Sequence, residues 1–326
     1  MNGIITNPFA ADPDYKSCST LCFTSSVISE VSPKVYEDWI IQKYINCFFK
    51  PDAKSTKFFI SVYNAWSFNN KVFFKQRVDL DKGILDQVGI NIMLILRNAI
   101  ARQMYPYGVC DENVIANAPP GTYTEDCHYI ITGLDDIRKM FFVKYISPIN
   151  GYYEKGIDYE TYFKSIFSLP TRNIVIDTIK YNPESDLSVN LTPVANDLED
   201  YIMSRDSYPQ HPNNRVFGFE AVNSFAEYLL SSTAVSDVYV PRYLLGLKEH
   251  KQTMLRRIEL LAEQQVVDSA WIKYAADVVN LADSITPSDG VAKANEYCET
   301  IKNTIEIERA YLPRVLEEIR SKCTTE

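Results

Sequence analysis

Apolar positions along the chain follow two spacings, and where one replaces the other marks its organisation. Helical spacing comes first: a helix is expected from Ser17 or Cys18 to Ser29, ending at Ser32-Pro33 because a proline pushes the preceding residue out of the helical region. A second helix is expected over 33–47, with Val35, Trp39, Ile40 and Tyr44 on one side. Aromatic and β-branched runs at 57–63 and 71–75 read as strands, and the apolar stretch at 84–104 reads as a buried helix. Residues 105–124, rich in Pro, Gly, Tyr and Asn, read as a loop. Strands are expected at 129–132, 140–146 and 173–179, the first two joined through 133–139 as a hairpin.

From 183 to 214 the composition shifts to Pro, Asn, Asp and Ser, a connector with room for one short helix. Helical spacing then takes over, starting with Phe219, Val222, Phe225, Ala226 and Leu229 and continuing in helices over 240–265, 267–284 and 288–320. The expectation is an α+β protein: an antiparallel sheet beside a cysteine-bearing helix over 1–182, a connector over 183–215 and a helical extension over 216–326.

Composition narrows the setting. Hydrophobic residues at 46% and charged residues at 23% are ordinary globular values. A net charge of −9 argues against a nucleic-acid surface, because phosphate binding needs clustered Lys and Arg. The longest apolar stretch is too short for a bilayer, so no membrane partner is expected. The start lacks the basic and apolar regions of a signal peptide, and the expected location is the cytoplasm. Seven cysteines without repeating spacing, and three histidines, match neither a disulfide framework nor a zinc site, and no bound cofactor or metal is expected.

The chemistry centres on His128. It opens a β-branched run and lies downstream of Cys18 and Cys22, a chain order similar to that of papain-like cysteine enzymes, whose thiol and imidazole meet only after folding. A cysteine attacks as its thiolate, which the unpaired amides at a helix N-terminus favour. Cys18 sits where the first helix should begin and is the expected nucleophile. Cys22, one turn on and followed by an aromatic residue, is the alternative. His128 would move the proton. A third residue should orient the imidazole, and the turn after the next strand offers Ser147 and Asn150. Asp135 and Asp136 belong at the far end of the hairpin, as turn residues.

The cysteine-led helix, the run His128-Tyr129-Ile130-Ile131-Thr132-Gly133-Leu134-Asp135-Asp136, the Ser147-Pro148 turn and the segment from Tyr159 to Phe163 together resemble the papain-like fold of bacteriocin leader peptidases and butirosin-type acyltransferases. The helical second half is similar to the extension of the butirosin group. In length and character the chain resembles that group's amide-forming, transglutaminase-like enzymes of closthioamide biosynthesis. The turn usually reads Asp-Pro in this family, and Ser147 departs from it.

The resemblance implies an acyl chain delivered on the phosphopantetheine of an acyl or peptidyl carrier protein. The chain would pass through a cysteine thioester to an amine or a diamine such as 1,3-diaminopropane. Carrier proteins are typically acidic, so docking would need a basic face, and Lys248, His250, Lys251, Arg256 and Arg257 are the expected one. A cysteine peptidase and a degenerate papain-like binding protein are the alternative expectations.

Overall fold

The computed structural model describes residues 3–10, 14–50, 57–60, 72–83, 85, 91–122, 127–147, 151–185, 188–205 and 215–323. The chain is α+β and divides into two compact units, 1–31 with 68–186 and 32–67 with 187–326. This differs from the continuous 1–182 and 216–326 expected from composition. Residues 32–67 are built into the unit made by the second half, through long-range bonds such as Asn46 Nδ2 to the Arg205 carbonyl at 3.2 Å.

The first unit is an antiparallel sheet with helices. Its strands, in chain order, are β1 (Ile4–Thr6), β4 (Phe73–Asp81), β5 (Tyr105–Cys110), β6 (Cys127–Asp135), β7 (Met140–Ser147), β8 (Gly151–Asp158) and β9 (Asn173–Tyr181). The sheet order is β4-β9-β5-β6-β7-β8, and β1 pairs with the far end of β6. Strand β5, where the sequence reads as loop, is central. Pro106 is tolerated because its partner is Thr178 of β9, whereas the ladder to β6 starts only at Tyr107. Gly133, at the register shift in β6, lets β1 approach: a Cβ there would lie 2.5 Å from the Ile5 carbonyl oxygen.

Alternation along the strands sorts the side chains onto two faces. One carries Cys110, Cys127, Tyr129, Val143, Tyr145 and Ile176, which form a hydrophobic cluster with Leu96 and Ile100 of α3 (Ile92–Ala101) and Tyr162 and Ile166 of α5 (Tyr159–Phe167). Helix α3 is shorter than the 84–104 expected; Asn91 caps it, accepting from the Leu94 amide at 3.0 Å. Helix α1 (Ser19–Ser29) lies against β6 and β9, adds nothing to that cluster, and covers the opposite face.

The second unit holds a three-stranded sheet, β10-β2-β3, from β2 (Cys47–Lys50), β3 (Lys57–Ile60) and β10 (Val216–Phe217). Its longer helices are α2 (Pro33–Gln42), α6 (Leu191–Ile202), α7 (Gly218–Tyr228), α9 (Val240–Glu263), α10 (Ala270–Asp283) and α11 (Ala294–Cys323). Helix α2 stops short of 47 because Tyr44 adopts φ 66°, its hydroxyl accepting from Trp39 Nε1 at 2.9 Å. The carbonyls left open at that helix end are taken by Arg257, which donates to Ile40, Ile41 and Lys43. No helix among the described residues is long and apolar enough to cross a membrane.

Candidate functional site

Cys18 is the N-cap residue of α1, in extended backbone conformation (φ −133°, ψ 122°). The helix has no side-chain cap bond and no acidic residue in its first turn, and its leading amides favour a negative charge beside them. The Cys22 amide donates to the Cys18 carbonyl at 2.9 Å, which fixes Cys22 one turn inside the helix. Cys22 is fully buried, whereas Cys18 retains 9% exposure. Cys47 is unsuited to attack: burial, partly offset by the Lys251 charge, pushes its thiol up to about 12.

His128 is the second residue of β6, between Val109 of β5 and Ile146 of β7, and it is exposed. Its face of the sheet also carries the next row along the strands, in which Asp177, Tyr107, Ile130, Lys144 and Glu154 stand side by side. Asp177 is buried and accepts from Arg77 Nε and Nη2, both at 2.8 Å, with Lys75 Nζ at 3.2 Å. Burial works against its charge, but hydrogen bonds from Arg77, Tyr107 and Lys75 outweigh it and hold the carboxyl below the usual range. Burial and the Asp177 charge push the Tyr107 hydroxyl far up, so it stays a donor. This polar row beside the histidine was not among the sequence expectations. The signal for it was a lone acidic residue, Asp177, directly after the apolar run Ile174-Val175-Ile176.

The proposed third residues separate from His128. Ser147 has the parity of Tyr145 and Cys127, so it belongs to the other face, where its buried hydroxyl donates to Glu112 Oε2 at 2.9 Å. Asn150 lies outside the described residues, as does His211. Asp135 is not a turn residue but the last residue of β6, at the far end of the hairpin, paired with Met140 and Ile4, its carboxylate accepting from the Ile137 and Arg138 amides at 2.9 and 3.0 Å. Asp136 pairs there with Arg97 at 2.5 Å.

On the His128 face, a pocket of about 220 Å³ opens over β6 to β8, lined by Thr132, Phe142, Val143, Lys144, Glu154, Lys155 and Gly156. The Lys144 ammonium crosses it to the Glu154 carboxylate and lies 4.8 Å from the centre of the Phe9 ring. Tyr152 also donates to Glu154, at 2.7 Å.

The five residues expected to form a basic docking face do not share one exposed surface. His250, Lys251 and Arg257 are buried at 0%, 1% and 2% exposure. Lys251 is bonded to Glu308 Oε2 at 2.6 Å and Tyr201 Oη at 2.8 Å. Arg256 pairs with Glu37 and Glu259, and Lys248 with Asp283. His250, Lys251 and Arg257 face inward because α9 packs against neighbours on several sides, a fact invisible in the local charge run. No group of three or more His, Cys, Asp or Glu that could hold a metal occurs among the described residues.

No family model matches the chain, and no curated protein does.

Proposed function

We propose that the chain is a papain-like, cysteine-dependent acyltransferase that forms amide bonds from carrier-bound thioesters, with Cys18 as nucleophile and His128 as the proton-transfer group. The observation that carries this reading is the combination of a cysteine at the uncapped N-terminus of a buried helix and an exposed histidine near the start of β6, the strand that helix lies against. In this reading the Cys18 thiolate attacks the thioester carbonyl, and α1 amides stabilise the oxyanion. The pantetheine thiol leaves with a proton from His128. An amine then attacks the acyl-enzyme, His128 takes its proton, and the Cys18 thiolate is released.

The pocket over β6 to β8 is of a size that suits a short amine, whose ammonium group would compete with Lys144 for the Glu154 carboxylate. A cysteine peptidase would use the same pair, so the test is product analysis. Acyl-loaded carrier protein is offered together with 1,3-diaminopropane, and a peptide mixture is offered separately. Amide formed faster than free acid supports transfer. Free acid alone, or cleaved peptide without any amide, refutes it.

A further inference from the structure

We propose that Cys110 and Cys127 form a cross-strand dithiol that a two-electron oxidant closes to a disulfide, a redox modification site one residue before His128. The two are direct partners in the last rung of the β5–β6 ladder. They point to the same face, neither is in a disulfide, and both are fully buried. The Cys110 thiol lies 3.4 Å from the Cys127 carbonyl oxygen, and the Cys127 thiol is turned toward the Ile146 carbonyl of β7 at 3.4 Å.

Directly opposed residues hold their Cβ atoms about 4.5–5.5 Å apart. A disulfide needs about 3.5–4.5 Å, so a χ1 rotation of Cys127 and a small approach of the strands suffice. Among the described residues the rung is the last of the ladder, and pairing opens most readily at strand ends, where an opening would expose the covered thiols to an oxidant.

With hydrogen peroxide the balance is simple. One thiol is oxidised to a sulfenic acid with release of water; the second thiol displaces the hydroxyl as a second water and the S–S bond forms. Two thiols lose two protons and two electrons, and one peroxide is reduced to two waters. Closure draws the first residue of β6 toward β5, and His128 is the next residue, so the imidazole shifts with the redox state. The inference does not rest on the acyltransferase reading.

The test treats the full chain with peroxide, blocks remaining thiols under denaturing conditions and maps the disulfide by peptide mass spectrometry. The expected result is a Cys110–Cys127 linked peptide, reversed by dithiothreitol and absent in Cys110→Ala and Cys127→Ala. Because the chain holds three histidines, ring resonances can be assigned by substitution. The His128 resonance should move on oxidation of wild type and stay in place in peroxide-treated Cys110→Ala. Both cysteines recovered as blocked thiols, or an unmoved His128 resonance in the linked protein, would overturn the proposal.

Discussion

Replacing Lys251 by Met should destabilise the second unit more than any surface change, and the structure sets the size. The ammonium is fully buried, 2.6 Å from Glu308 Oε2, and the Tyr201 hydroxyl reaches the same oxygen at 2.8 Å. Glu308 Oε1 has no partner among the described residues. Removing the lysine therefore leaves a buried carboxylate with a single hydroxyl donor, and breaking one side of a buried pair costs about 3–5 kcal/mol. Trp39 and Trp271 belong to this unit, so tryptophan fluorescence in urea reports on it. With a slope of about 3 kcal/mol per M, the midpoint should fall by roughly 1–2 M. The variant carrying Lys251→Met and Glu308→Met together should regain most of the loss, because neither charge is then stranded. A single variant within about 1 kcal/mol of wild type, or a double variant worse than the two singles combined, would refute the reasoning.

Three further outcomes are expected. Burial, aided by the neighbouring Lys251 and Arg257 charges, holds the His250 imidazole neutral well below its ordinary range, while its Nε2 bonds the Ile45 carbonyl at 2.8 Å. The unfolded chain takes up that proton below about pH 6.5, so stability of the second unit should fall as pH drops from 7 to 5; His250→Gln should flatten the urea-midpoint slope. Asp177→Asn should speed hydrogen exchange of the β4 and β9 amides at neutral pH by weakening charged bonds worth about 1.5–3 kcal/mol each. The Asp177 carboxyl is held below its usual range, so its contribution is present above about pH 4 and lost as pH falls further, and the difference between variant and wild type should shrink there. Asp158→Ala should cost about 1 kcal/mol by removing the α5 N-cap, whose oxygen accepts from the Thr161 amide at 2.8 Å, measured by thermal melting.

What was legible in the chain was what local spacing encodes. The α1 stop at Ser32-Pro33, the β6–β7 hairpin and the run from Asn173 followed from caps, alternation and proline rules, and each element formed within a few residues of its expected bounds. Strand β5 was hidden because Pro106 and Gly108 read as loop, and only its position at the open end of one ladder makes that proline harmless. The membership of 32–67 in the second unit was not legible, since Asn46 and Cys47 meet Arg205 and Gly218 some 160 to 170 residues away. The same holds for Lys251, whose partner Glu308 is 57 residues on. The side of the sheet taken by Ser147 was only half available: the sequence shows that it shares the parity of Tyr145, but the register in which Tyr145 opposes Tyr129 rather than His128 comes from the fold.

The most direct test of the acyl-transfer account is intact-mass spectrometry after mixing with acyl-loaded carrier protein, using wild type, Cys18→Ala, Cys22→Ala and His128→Ala. The account predicts a covalent acyl adduct on wild type and Cys22→Ala, none on Cys18→Ala, little on His128→Ala, and discharge of the adduct by a diamine. An adduct that survives Cys18→Ala, or no adduct on any form while the carrier stays loaded, would contradict it.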